Sequence, residues 1–155
     1  MVGKKPQALW AVNIIVDANI IFSAILNTQG KLGDILMNSG RDFNFIAPYF
    51  LKTEIHKHYP KLGKVSGLTT RQIKEAETLV CKNIVFISEE QIEISTWHKA
   101  ILLTADIDSK DAIYIAFSLH FRCMLWSGDK ALIKGLTKNG FDSFITTNEL
   151  YKLKE

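Results

Sequence analysis

At 155 residues the chain has the length of one domain, and its 47% hydrophobic and 23% charged residues are typical of a globular protein rather than a disordered one. A net charge of +3 permits a nucleic-acid partner without requiring one. Asn13 and Asp17 interrupt the N-terminal apolar run, which argues against a signal peptide, and no apolar run approaches the roughly 20 residues of a membrane span. We expect a tail over 1–12 and a single domain over 13–150.

Five short runs have the composition of β-strands. They are NIIVD (13–17), NFIAP (44–48), NIVFI (83–87), CMLW (123–126) and SFIT (143–146). The first, third and fourth runs are almost continuously apolar rather than alternating, which is typical of strands that are covered on both faces. The pattern therefore predicts an α/β fold: a three-layer α/β/α sandwich around a mostly parallel sheet of about five strands.

Helical patterns lie between these runs. Thr69 and Gln72 predict a capping box at the start of a helix over 69–82. Apolar residues at helical spacing predict a buried stripe on this helix, formed by Ile73, Ala76, Leu79 and Val80. Further helical repeats occupy 111–121 and 128–140. The stretch over 59–70, which contains proline and glycine, is predicted to be a long loop.

Cysteine and tryptophan residues give little indication of chemistry. Cys81 and Cys123 lie far apart in apolar stretches and lack the CxxC spacing of metal or redox sites. They are predicted to be reduced core thiols, which favours a cytoplasmic protein. Trp10, Trp97 and Trp126 are predicted to lie in the core or at an interface rather than to stack on bases.

Acidic residues follow the predicted strands at one edge of the sheet. Asp17 ends the first run, and Asp129 stands three residues past the fourth. Asp111 starts a helix of about ten residues at 1.5 Å each, and the strand that follows returns roughly 13 Å, so Asp111 reaches the same edge. Glu54 lies one to two turns into the helix after the second run. In open α/β sheets, sites form at the carboxyl ends of the strands.

Crowded carboxylates repel one another, and without a counter-charge at least one would hold a proton at a raised pKa. A hard divalent cation removes this conflict, and ligation by oxygen alone suits Mg²⁺ or Mn²⁺ rather than zinc. Simpler roles exist for each acid taken singly. Asp108 or Ser109 could cap the helix that begins near Asp111, and an aspartate after a strand is often only a turn residue. The joint placement is what predicts a metal site.

Three stretches resemble the PIN-domain ribonucleases, the fold of many VapC-like toxins. They are IIVDANIIFSAIL, APYFLKTEI and DIDSKDAIYIAFSLHFRCMLWSGDKAL, the last with a serine-glycine-aspartate turn. The resemblance covers about 13–147. It implies metal-dependent cleavage of RNA by the four acids Asp17, Glu54, Asp111 and Asp129. Alanine stands at position 18, where threonine or serine is common in the family.

The resemblance also implies a role for each acid. Asp17 and Asp111 are expected to bind the principal Mg²⁺ or Mn²⁺ ion. Asp129 and Glu54 are expected to position the metal and to activate water. A bound cation lowers the pKa of water, and a second cation would neutralise charge on the leaving oxygen.

Neighbouring residues and partners follow from the same resemblance. Asn19 and Ser127 are expected to orient the acids through hydrogen bonds. Many relatives form homodimers and some bind an antitoxin protein, so both partners are expected here besides RNA, and no membrane is expected.

Basic residues could attract the anionic strand to this acidic site. Those assigned to RNA binding are Lys52, Lys57, Lys61 and Lys130. The alternative for each is an ordinary solvated face.

Two other classes of protein place acids at strand ends. A receiver-type signalling domain binds Mg²⁺ there, but it normally carries a phosphoacceptor aspartate after the third strand, and NIVFIS ends without one. A haloacid-dehalogenase phosphatase would have D-x-D where this chain has Asp17, Ala18 and Asn19. A non-catalytic module that binds RNA or protein is the third alternative.

Overall fold

The computed structural model describes residues 11–154, in which a five-stranded sheet with all strands parallel forms the centre of the fold. The strands are β1 (Val12–Val16), β2 (Phe43–Pro48), β3 (Ile84–Ile87), β4 (Met124–Trp126) and β5 (Phe144–Ile145). The predicted α/β sandwich and its five strands are therefore confirmed. Most of the predicted tail over 1–12, including Trp10, lies outside the described residues, and β1 begins within it.

Helices cover both faces of this sheet. Within 11–154 they are α1 (Ala18–Leu26), α2 (Lys31–Asn38), α3 (Phe50–Lys57), α4 (Tyr59–Ser66), α5 (Thr70–Val80), α6 (Ile94–Thr104), α7 (Ala112–Phe121), α8 (Lys130–Lys138) and α9 (Thr147–Leu153). Buried residues of α1 to α5 and of α9 share one hydrophobic cluster, and those of α6, α7 and α8 share the other. None of the helices described is long and apolar enough to cross a membrane.

The strands contribute alternate residues to the two clusters. Ile14 and Val16 of β1 belong to the first cluster, whereas Ile15 between them belongs to the second. In β4, Leu125 and Trp126 divide in the same way. Successive side chains of a strand point to opposite faces, so a strand covered on both faces must be apolar throughout. This explains the continuous apolar runs in the sequence.

Strand order places the switch point of the fold between β1 and β4. The order is β3-β2-β1-β4-β5, so the chain builds outward from β1 in one direction and then in the other. Val16 pairs with Trp126, and the Asp17 amide donates to the Trp126 carbonyl at 3.2 Å. Ligands of open α/β sheets bind where the order reverses. Receiver domains have the order 2-1-3-4-5, so the observed order excludes the receiver alternative.

The predicted loop over 59–70 is wrong in its first part, because residues Tyr59–Ser66 form α4. Pro60 stands in the first turn, where the missing N–H leaves no bond unmade. Gly67 ends the helix with φ of 75°, a left-handed conformation that costs glycine little. Proline and glycine thus mark the two ends of a short helix rather than a loop.

Helix α5 has the predicted capping box. The Thr69 hydroxyl accepts a hydrogen bond from the Gln72 amide at 3.2 Å, and the Gln72 side chain accepts one from the Thr69 amide at 2.9 Å. The predicted burial of Leu79 is wrong, because this side chain is 49% exposed. At 100° per residue Leu79 lies about 120° from Ile73, outside the buried stripe.

Both cysteines are free thiols, as predicted, but they are half-buried rather than fully enclosed. Burial raises the pKa of Cys81 to about 12 and that of Cys123 to about 11, so neither is a reactive thiolate at neutral pH. Trp126 is fully buried, and Trp97 packs partly buried against the second cluster. Both tryptophans thus support the core, as predicted.

Candidate active site

Asp17 lies at the carboxyl end of β1 and is only 4% exposed. The Ser127 hydroxyl donates a hydrogen bond to Asp17 Oδ2 at 2.9 Å. Burial raises the pKa of Asp17 above its ordinary value, although this hydrogen bond and the backbone amides of Asn19 and Ala18 oppose the rise. Asn19 therefore acts on Asp17 through its main chain, and its side chain is exposed.

Asp129 is joined to Asp17 through Ser127. The Ser127 hydroxyl oxygen accepts a hydrogen bond from the Asp129 amide at 3.1 Å while it donates to Asp17. Asp129 also caps α8, because its Oδ1 accepts from the Leu132 amide at 3.0 Å. A ligand would therefore be bound through Oδ2. The serine-glycine-aspartate turn after β4 both starts a helix and links two carboxylates.

Asp111 stands at the N-terminal cap position of α7. Burial, followed by the negative charges of Asp17, Asp108 and Asp129, raises the pKa of Asp111 to about 6. Asp108 has the capping role that was its alternative, since its Oδ1 accepts from the Lys110 amide at 3.0 Å in a short 3-10 turn. Asp17, Asp111 and Asp129, from three different elements, are therefore electrostatic neighbours at one edge of the sheet.

The raised pKa of Asp111 predicts a pH dependence of stability. Between pH 4 and pH 6 the folded state binds more protons at this carboxyl than the unfolded state, so this group makes the free energy of unfolding fall as the pH rises through that window. In thermal unfolding with chelator, we expect the fall in Tm from pH 4.5 to pH 7 to be about 2–4 °C larger in the wild type than in Asp111→Asn. Equal falls in the two proteins would contradict this origin.

Glu54 lies on the same side of the molecule but has a cationic partner of its own. Its Oε2 atom is 3.7 Å from the Lys57 Nζ atom, three residues further along α3. The Glu54 side chain is 24% exposed and that of Lys57 is 71% exposed. The fourth predicted acid is therefore paired with one of the four lysines assigned to RNA.

Two residues of the site were missed from the sequence. Tyr114 is buried in the first turn of α7, and burial followed by the charges of Asp17, Asp111, Glu54 and Glu89 raises its pKa, so its hydroxyl stays protonated. Tyr114 therefore lies within the field of acids from β1, α3, β3 and α7. Glu89 follows β3 at the same edge of the sheet. Glu89 stands two residues past β3, so the rule that selects Asp129, an acid within three residues of a strand end, would also select Glu89.

The carboxylates of Asp17, Asp111 and Asp129 are chemically suited to a hard divalent cation, but their side chains are not arranged around a common point. Carboxylate oxygens are the ligands that Mg²⁺ and Mn²⁺ prefer. None of the ion pairs found within 11–154 involves Asp17, Asp111 or Asp129, so their repulsion is uncompensated there. In the same range, no group of three or more histidine, cysteine, aspartate or glutamate residues is arranged to hold a metal ion.

The other lysines assigned to RNA binding lie on three helices. Lys52 of α3 places its Nζ atom 4.7 Å from the ring centroid of Phe86. Lys61 is exposed on α4, and Lys130 is the exposed first residue of α8, next to Asp129.

Comparison with known proteins agrees with this geometry. A search of curated proteins finds no match to the chain. The family model of the PIN domain matches residues 15–150, which includes every strand end that carries a predicted acid. PIN domains are generally nucleases that act on nucleic acid and typically use divalent metal ions. This chain belongs to the PIN domain family.

Proposed function

We propose that the chain is a Mg²⁺- or Mn²⁺-dependent endoribonuclease that hydrolyses RNA phosphodiester bonds. The observation that supports this best is the meeting of Asp17, Asp111 and Asp129 at the β1/β4 switch point, where burial and mutual repulsion raise the pKa of two of them. Such an arrangement is costly to the fold unless a cation binds there.

Each acid has its role within the proposal. Asp17 and Asp111 would hold the principal metal, because burial raises the pKa of both and a bound cation would favour their ionised forms. Asp129, through Oδ2, and Glu54 position the metal and accept a proton from the attacking water. The bound cation supplies a lowered water pKa and neutralises charge on the scissile phosphate.

Two supporting residues hold the acids in place. Ser127 fixes the rotamer of Asp17 and the backbone of Asp129 with a single hydroxyl. Tyr114 is buried within the field of these acids and keeps its hydroxyl neutral, so it adds no further negative charge to the site. Release of Glu54 from Lys57 would free the acid for metal and the lysine for a phosphate.

The test is one RNA incubated with the protein under three metal conditions. We expect cleavage with Mn²⁺, cleavage with Mg²⁺ and no cleavage with excess chelator, with products that carry 5′-phosphate and 3′-hydroxyl ends. Restored cleavage after Mn²⁺ is added back excludes irreversible unfolding by the chelator. Cleavage that survives chelation would contradict a metal mechanism, and RNA binding without cleavage under all conditions would favour the non-catalytic module.

The likeness to VapC toxins extends the proposal to the cell. There the chain would act in the cytoplasm as a homodimer, as the toxin of a toxin-antitoxin pair. Expression of the chain is then expected to arrest growth, and co-expression of the protein encoded by the neighbouring gene is expected to relieve the arrest. Unimpaired growth with active enzyme present would contradict the toxin role and leave the nuclease proposal intact.

A further inference from the structure

Two exposed aromatic residues lie at the edge of the sheet that carries the acids. Tyr49 is 55% exposed and Phe50 is 43% exposed, and both lie where β2 ends and α3 begins. This is the edge of the sheet at which Asp17 ends β1, since β1 and β2 are parallel neighbours. A single exposed aromatic residue is ordinary. Two consecutive exposed aromatic residues at the edge that carries the site indicate a binding surface.

The backbone of this pair is anchored to the end of β3. The Tyr49 amide donates to the Ile87 carbonyl at 2.9 Å, and the Phe50 amide donates to Glu89 Oε1 at 2.5 Å. Phe50 also precedes Glu54 by four residues, so the two share one face of α3. The backbone that carries the two rings is therefore hydrogen-bonded to the end of β3 and to Glu89, and Phe50 lies on the same face of α3 as a predicted acid.

A cation completes the surface. The Lys52 Nζ atom lies 5.3 Å from the ring centroid of Tyr49 and 4.7 Å from that of Phe86. Aromatic rings next to a cation are what single-stranded nucleic acids bind, because a base stacks on the ring and the cation meets a phosphate. A protein partner would not require the carboxylates and the lysine in the same place. The combination thus favours a nucleic-acid strand.

We propose that Tyr49 and Phe50 form a stacking platform for an unpaired base of the substrate and so select single-stranded over double-stranded RNA. This inference rests on the proposed nuclease function and adds to it the residues that set the substrate class. Base-paired strands keep their base faces covered by neighbouring pairs and offer nothing to stack on these rings. A phosphate next to the stacked base would meet Lys52, whose Nζ atom lies beside the Tyr49 ring.

The experiment measures RNA binding separately from cleavage. In an Asp17→Asn background with Mn²⁺, fluorescence anisotropy gives the Kd for a labelled 12-nucleotide single strand and for its duplex. Tyr49→Ala and Phe50→Ala are each expected to raise the single-strand Kd roughly 10-fold, the scale of one lost base–aromatic stack. Tyr49→Phe should change it little, whereas Tyr49→Leu, which keeps apolar bulk without a ring, should resemble the alanine variant.

Tyr151 provides a matched control. It is 46% exposed, and the Lys31 Nζ atom lies 4.5 Å from its ring centroid. However, Tyr151 belongs to α9, which follows β5, and β1 and β4 separate β5 from β2 in the sheet. Tyr151→Ala should leave the Kd unchanged. A set of RNAs that each lack one base locates the stacked nucleotide. When the missing base is the one that stacks, Tyr49→Ala should no longer change the Kd, because the stack is already lost.

The outcomes separate this inference from the proposed function. Suppose that the wild type cleaves RNA but that the Tyr49 and Phe50 variants bind the single strand with the same Kd as the Tyr151 variant and the Asp17→Asn background. The stacking platform is then refuted, and the proposed nuclease function is not. If the platform variants bind weakly although the wild type never cleaves, the platform stands without the nuclease. Equal losses on single strand and duplex would also overturn the inference, because stacking on an unpaired base cannot weaken duplex binding.

Discussion

Asp17→Asn is expected to lower the rate of Mn²⁺-dependent RNA cleavage by more than about 100-fold. Changes in residues that only orient metal ligands typically cost about 10–100-fold, and Asp17 is proposed to be a ligand. Asparagine has nearly the same shape and can still accept the hydrogen bond from Ser127, so the geometry is preserved while the charge is lost. The measurement is the initial rate of cleavage of a labelled RNA at saturating Mn²⁺.

Stability distinguishes lost chemistry from lost structure. Burial raises the pKa of Asp17, so its neutral replacement should leave Tm at pH 7 unchanged or slightly higher. Ser127→Ala should lower the cleavage rate by about 10–100-fold, because it removes the hydrogen bonds to both Asp17 and Asp129. Asp142 is an exposed aspartate that precedes β5, so it lies at the amino ends of the strands, away from the acids. Asp142→Asn should therefore retain full activity. Full activity in Asp17→Asn would refute the metal assignment.

Trp126→Ala is expected to lower the free energy of unfolding by about 3–5 kcal/mol, the usual cost of truncating a buried aromatic side chain. Trp126 is fully buried, its ring centroid lies 5.8 Å from that of Phe45, and its Nε1–H donates to Thr147 Oγ1 at 3.0 Å. The substitution therefore removes a core contact between β2 and β4, and it also removes the hydrogen bond to Thr147, the first residue of α9. Urea unfolding gives the difference.

Trp97→Ala is the control for this prediction. Trp97 is the same residue type but only partly buried on α6, so its truncation should cost less than half as much. A loss below about 1 kcal/mol for Trp126→Ala would mean that the core closes over the cavity, and would contradict the role given to this side chain. Asp17 and Ser127 lie just beyond β1 and β4, so residual activity should fall along with stability.

The strands and the main acids were predictable for local reasons. A strand that is covered on both faces must be apolar at every position, so 13–17 and 123–126 stand out from the sequence. Parallel strands end at one edge, so an acid directly after each strand falls on that edge. Asp17 and Asp129 were found in this way. Glu89 obeys the same rule, because it stands two residues past the third strand.

Composition is a poor guide where a residue type has two structural uses. Pro60 and Gly67 suggest a loop by composition, yet they mark the first turn and the C-terminal cap of α4. Asp129 is predicted to position the metal and activate water, yet its Oδ1 also caps α8. Local propensity does not distinguish these uses, because each depends on whether the flanking residues have something to pack against.

An α/β protein of parallel strands with acids at their carboxyl ends is predictable from the amino-acid sequence, because burial on both faces requires each strand segment to be apolar throughout and parallel strands end at the same edge. The folded molecule is needed to see that β1 and β4 are neighbours and that Glu54 pairs with Lys57. The first of these contacts brings Asp17 Oδ2 and the Ser127 hydroxyl to 2.9 Å, although the two residues are 110 positions apart. Strand order and side-chain pairing depend on contacts between distant segments, and such contacts leave no periodic signal in either segment alone.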